Sequence, residues 1–204
     1  MLLKTAFDID GVFCHTWELM IELFNEIGYP VVETDIVEFD LNKCLDVPPE
    51  DVRKVIDLSL ARENMHRKRI DGNAVECVNY IYKLTGKTIP FITSRKEPAD
   101  TVYFLDNFVV KDRFPYKVWH GSWTDGKTCP ERKLEHITEA GCVAMVEDAP
   151  ETLKLLSDYG IIGMLRDRPY NKYATWGLRF SDWREVFNVA LRIEYYVGGN
   201  KKVG

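Results

Sequence analysis

The stretch that decides the fold is Leu2-Leu3-Lys4-Thr5-Ala6-Phe7-Asp8-Ile9-Asp10-Gly11-Val12-Phe13. Its first part is a short apolar run with β-branched and aromatic members, and it ends in acidic residues and a glycine. That is the profile of a buried strand whose C-terminal end opens into a loop. Outward from it the pattern turns helical. Trp17, Met20, Ile21, Phe24 and Ile27 recur at helical spacing until Gly28 and Pro30. A second helix is expected from Pro48-Pro49-Glu50-Asp51 and a third over Ala74, Val75, Val78, Ile81 and Tyr82, closed by Gly86. No buried strand is expected between Thr16 and Leu84.

Beyond this block the rhythm changes to short apolar strands alternating with helices. Strands are expected over Thr88 to Thr93, Tyr116 to Trp119, Cys142 to Val146 and Ile161 to Leu165. Helices are expected from Pro98, over Glu131 to Ala140, from Pro150, and from Ser181-Asp182. Alternation of this kind makes a parallel, Rossmann-like α/β sheet flanked by crossover helices. The first strand is separated from its partners by about 70 residues, too many for a plain connection. We therefore expect an α/β core over residues 1–15 and 85–197, a small helical cap over 16–84, and a flexible tail over 198–204.

Composition narrows the function classes. The 204 residues are 46% hydrophobic and 29% charged, so a packed core is feasible and disorder is not expected. No run approaches the roughly 20 apolar residues of a membrane span. The net charge of -5, with no basic cluster longer than His66-Arg67-Lys68-Arg69, argues against polymeric nucleic acid. The five cysteines are scattered and lack a CxxC, which reads as a reduced compartment. Together with an N-terminus that lacks the features of a secretory signal, this gives a cytoplasmic expectation. These features leave a homodimer open.

In open parallel sheets ligands bind where the strands end. The residues there are Asp8 and Asp10, then Thr93 and Ser94, then Lys133 at a helix start, then Glu147 and Asp148. Four carboxylates at one sheet edge repel one another unless a cation neutralises them. Oxygen-only ligands suit magnesium, which also accepts a substrate phosphate oxygen. Asp8 is then the candidate nucleophile and Asp10 the acid/base, while Thr93 and Lys133 hold phosphoryl oxygens. Each residue alone has a bland reading as turn, helix start or solvated charge; all four groups in order, each at a strand end or helix start, do not.

Phe7-Asp8-Ile9-Asp10-Gly11, Phe91-Ile92-Thr93-Ser94-Arg95, Lys133 and Val146-Glu147-Asp148-Ala149-Pro150 resemble the four ordered motifs of the haloacid dehalogenase superfamily. The resemblance implies an aspartyl nucleophile at Asp8, the acid/base at Asp10, a phosphate contact at Thr93, the lysine at Lys133, and Mg2+ held by Asp8, the Asp10 carbonyl and Asp148. Glu147 stands where many members carry Asp, and we favour Asp148 as the direct ligand. A narrower resemblance, to the 5'(3')-deoxyribonucleotidase family, rests on the helical cap, the Glu147-Asp148 pair, Arg168-Pro169-Tyr170-Asn171 and Trp183. It implies a magnesium-dependent phosphomonoesterase acting on a small phosphorylated compound, with a nucleoside monophosphate as first candidate.

The substrate contacts expected are Phe13, Ser94 and Arg95. Phe13 is the best site wall among the aromatic residues near the motifs or in the cap, which also include Trp17, Phe39, Trp123 and Tyr170. The rival readings are a phosphomutase or phosphotransferase, which shares the acyl phosphate but uses a different acceptor, and a non-catalytic binding protein on the same fold. A dehalogenase is disfavoured because halide removal needs neither a proton donor at Asp10 nor magnesium.

Overall fold

The computed structural model describes residues 1–121 and 126–197; Trp123 and the expected tail at 198–204 lie outside them. Six strands form one parallel sheet: β1 (Thr5–Phe7), β2 (Ile89–Thr93), β3 (Tyr116–His120), β4 (Ala144–Glu147), β5 (Ile162–Arg166) and β6 (Leu178–Phe180). Their order is β3-β2-β1-β4-β5-β6, so the strand that leads into Asp8 lies in the middle. The last strand, β6, is absent from the sequence expectation. It is three residues long and only Phe180 of it is buried, which leaves almost no apolar signal.

Strand alternation sends neighbouring residues to opposite faces. Phe7, Phe91 and Val146 pack beneath α3 (Gly72–Thr85), α4 (Pro98–Phe104), the π-helical turn Leu105–Val110 and α7 (Trp183–Val197). Ala6, Ile92, Met145 and Leu165 pack on the other face against α5 (Cys129–Ala140) and α6 (Pro150–Asp158). Helix ends carry their own chemistry. The Asp71 side chain accepts the N–H groups of Asn73 and Ala74 to start α3, and Thr128 with Glu131 forms a capping box for α5.

Between β1 and β2 the chain makes α1 (Thr16–Glu26), α2 (Pro49–Leu60) and three short 3-10 turns, with no strand. Trp17, Leu19, Leu23, Phe24, Val31, Ile36, Leu41, Val52 and Val55 give this insert its own core. The expected cap extended to residue 84, but α3 departs from that. Its Ala74, Val75, Val78 and Ile81 belong to the main core, so it is the crossover helix from β1 to β2 and the insert ends before it. Helical periodicity marks an apolar stripe without saying which layer receives it. All five cysteines are free. No helix among the described residues is long and apolar enough to cross a membrane.

Candidate active site

The C-terminal ends of β1, β2 and β4 converge, and the side chains that follow them meet. Asp8, next after β1, is buried and its Oδ1 accepts from Lys133 Nζ at 2.9 Å. The same ammonium donates to Glu147 Oε2 at 2.6 Å. Oε1 of Glu147 accepts the backbone N–H groups of Asp148 and Ala149 at 2.9 and 3.1 Å, where the chain turns into α6. Lys133 comes from the first turns of α5, packed beside α6, and its side chain is buried. One ammonium thus serves two carboxylates while a third, Asp148, lies alongside.

Burial is the largest influence on all three acids. It pushes Asp8 up to about 7, with Lys133 opposing and Glu147 and Asp10 adding to the rise. Asp148 is held well above the usual carboxylate range by burial and by Glu147. Glu147 ends up lowered, because Lys133 and the N–H groups after it outweigh its burial. One carboxylate oxygen from each of Asp8, Glu147 and Asp148 falls within 4.8 Å of the others. Three oxygen donors with a surplus of negative charge fit a hard divalent cation, and Mg2+ suits them.

Asp10, two residues on, has the opposite surroundings. Its Oδ2 accepts Arg95 Nε at 2.6 Å; its Oδ1 accepts Arg95 Nη2 at 2.9 Å, Lys68 Nζ at 2.7 Å and Thr16 Oγ1 at 2.7 Å. Despite burial, the two cations hold the carboxyl well below its usual range. Asp10 is therefore an ionised base as found, and can donate a proton only once released from Arg95 and Lys68. Arg95 is 4% exposed, and its Nη1 has no hydrogen-bond partner among the described residues.

The structure brings Asp8, Asp10, Lys133, Glu147, Asp148 and Arg95 together. Thr93 ends β2, buried, with its Oγ1 accepting the Arg95 N–H at 3.3 Å. Ser94 Oγ lies 2.6 Å from Cys129 Sγ. Phe13 is a correction. Rather than forming a site wall, its ring is fully buried in the main core, edge-on to Phe7 and Phe91 and tilted against Trp183. The turn after Asp10 returns Phe13 N–H to the Ile9 carbonyl, which folds that side chain back beneath the loop.

Three residues near the site make contacts that the sequence alone does not assign. Lys68 reaches in from the end of the insert with its side chain fully buried. Arg168 donates from Nε to the Gly11 carbonyl at 2.6 Å, and Tyr170 donates its hydroxyl to Asp148. A buried basic residue amid a charged run leaves no periodic signal, so Lys68 was illegible; Arg168 and Tyr170 stood in a quoted motif without an assigned contact. Gly11 explains itself here. Its φ is +76°, and a Cβ would sit 1.8 Å from Asp148 Oδ2.

A central parallel sheet, an insert after the first strand and acidic residues at the ends of β1 and β4 make one comparison decisive. A haloacid dehalogenase-like hydrolase from Streptococcus pneumoniae superposes over 92% of this chain and 98% of its own, with a TM-score of 0.66 at 10% identity. This is the haloacid dehalogenase fold. A second structure of that fold, a superfamily hydrolase from Ehrlichia chaffeensis, matches 95% of this chain and 98% of its own at TM-score 0.57 and 13% identity. A putative beta-phosphoglucomutase from Thermotoga maritima matches 93% and 98% at TM-score 0.59 and 18% identity. No protein-family profile and no curated protein sequence matches the chain. Within the haloacid dehalogenase fold, the acidic cluster occupies the sheet edge where the strand termini meet.

Proposed function

We propose that this protein is a magnesium-dependent phosphomonoesterase that works through an aspartyl phosphate on Asp8. The observation that carries this reading is the pairing of two half-sites on one sheet edge. One is short of positive charge at Asp8, Glu147 and Asp148. The other offers a buried Arg95 N–H beside Asp10 that has no hydrogen-bond partner among the described residues. A phosphate monoester with its cation complements both.

Asp8, Glu147 and Asp148 would hold the metal, which when bound neutralises phosphoryl charge. Asp8 attacks phosphorus and the bond to the leaving oxygen breaks, giving an acyl phosphate and an alcohol. Lys133 fixes the attacking carboxylate, and Arg95 and Thr93 receive the phosphoryl oxygens. Released from its two cations, Asp10 takes up a proton from solvent and passes it to the leaving oxygen, and the carboxylate so formed takes a proton from the water that hydrolyses the acyl phosphate. A nucleoside monophosphate is the first substrate to try. Arg168 to Asn171 and Trp183 support it at the level of sequence, and Phe39 presents a half-exposed ring from the insert.

The test is a screen of phosphorylated metabolites, including 5'- and 3'-deoxyribonucleotides, with Mg2+ and with chelator, followed by mass spectrometry of acid-quenched protein. Phosphate release that depends on Mg2+, with phosphate trapped on Asp8, is expected. Full activity in excess chelator would overturn the reading, and transfer to a sugar hydroxyl instead of water would move it to the mutases.

A further inference from the structure

We infer that Tyr170 is a positioning residue that links the packing of the insert to the metal affinity of Asp148; this rests on the metal site proposed above. Tyr170 lies in the short turn Pro169–Asn171 that follows β5, and it belongs to two structures at once. Its ring is a member of the insert's own core, alongside Trp17, Leu19 and Phe24, and meets Phe39 edge-on at a centroid distance of 5.8 Å. Its hydroxyl donates to Oδ2 of Asp148 in the sheet domain.

The turn itself is pinned to the sheet domain. Asn171 Nδ2 donates to the carbonyls of Asp148 and Arg166 at 2.9 and 2.8 Å, and Asn171 Oδ1 accepts the Arg168 N–H at 3.1 Å. Arg168 Nε in turn holds Gly11. The backbone of Tyr170 thus follows the site while its ring follows the insert. Gly11 lies against both the Asp148 carboxylate and the phenol, with no Cβ to fill the space: one there would sit 1.8 Å from Asp148 Oδ2 and 2.9 Å from the Tyr170 hydroxyl. Oδ2 of Asp148 is therefore aimed by two things, the floor at Gly11 and the phenol O–H.

A neutral donor of this kind orients a carboxylate without cancelling its charge, which is what an acidic metal ligand requires. Displacing the insert drags the ring and loosens the hydroxyl. By reciprocity, fixing Asp148 with a cation steadies the insert through the same ring. A bland account exists, since a buried tyrosine needs an acceptor and Asp148 is one. The two accounts differ in what a distant change at Phe39 does.

The experiment uses the full chain and Mg2+ alone, with titration calorimetry for affinity and hydrogen exchange for amides of residues 33–43. In the wild type, saturating Mg2+ is expected to slow exchange there. Tyr170→Phe keeps the ring and is expected to weaken Mg2+ binding about tenfold or more and to abolish the slowing even at saturation. Phe39→Ala leaves every group at the metal in place and sits at a half-exposed position where folding is not at stake. It is expected to weaken Mg2+ about fivefold. Unchanged affinity in Phe39→Ala, or undiminished protection in Tyr170→Phe, overturns the link while leaving the phosphatase reading intact. A wild-type chain that binds no Mg2+ overturns both.

Discussion

Asp8 and Asp10 stand two residues apart on one loop, Asp8 buried and Asp10 with 22% of its side chain exposed, and their surroundings differ in sign. Around Asp8 a single ammonium is shared with Glu147 while Asp148 adds a further carboxylate, and the Asp8 carboxyl is raised to about 7. Around Asp10 two cations and a hydroxyl converge on one carboxylate, and it is held far below its usual range. Burial raises both carboxyls, and the count of opposite charges around each decides whether that rise is overcome. The pair also divides the site into a half that attracts a cation and a half that attracts an anion.

The sharpest way to break this contrast is to neutralise each aspartate in turn. Asp8→Asn is expected to abolish turnover and covalent phosphate, yet to raise the metal-free melting temperature, because a buried charge disappears. Asp10→Asn is expected to cost about 10²- to 10⁴-fold in rate and to lower the melting temperature, because Lys68 and Arg95 lose their counter-charge. Steady-state rates and thermal melts in chelator check both, and shifts of the same sign would dissolve the contrast.

Next in size is Lys133→Met. Removing the one ammonium between Asp8 and Glu147 is expected to cost about 3–5 kcal/mol in urea unfolding without metal. Added Mg2+ should restore part of it, since it supplies the missing positive charge. Equal loss with and without Mg2+ would show that the acidic half does not take a cation.

Phe13→Leu marks where the loop stops being site and becomes core. It should cost about 1 kcal/mol and leave kcat/KM among substrates unchanged; a change in substrate ranking would return Phe13 to the site wall. The smallest effect tests how far the cationic half extends. His120 is held below its ordinary 6.5 by burial, then by His136 and Arg95. As pH falls through 6.5 the unfolded chain takes up the proton first, so stability is lost towards acid. His120→Asn should make the decline in urea midpoint between pH 7 and pH 5 shallower.

The alternation of strands and helices was readable because each central strand is an apolar run ending at a polar residue, as Phe91-Ile92-Thr93 does. The acidic half was readable for the same reason, since Asp8, Glu147 and Asp148 are the first polar residues after such runs. The cationic half was not. Lys68 and Arg95 reach Asp10 across 58 and 85 residues, and nothing local in either segment announces the contact. Phe13 misled for the converse reason. It adjoins Asp10 closely in sequence, but the tight turn at Gly11 sends it to the other side of the loop.

The insert leaves the sheet domain and returns to it at nearly the same point. The Phe13 carbonyl accepts the Asp71 N–H at 2.9 Å, the His15 N–H reaches the Arg69 carbonyl at 3.0 Å, and Cys14 bridges Ile70. Some fifty residues are thus hung from a doorway one residue pair wide, so the sheet can be closed beneath them by a very short splice. Such a splice would keep Asp8, Lys133, Glu147 and Asp148 but bare the Tyr170 ring behind Asp148, and it would take away Thr16 and Lys68, leaving Arg95 as the one cation on Asp10 among the described residues. The acidic carboxylates therefore belong to the sheet, while the groups around Asp10 are partly on loan from whatever occupies the doorway.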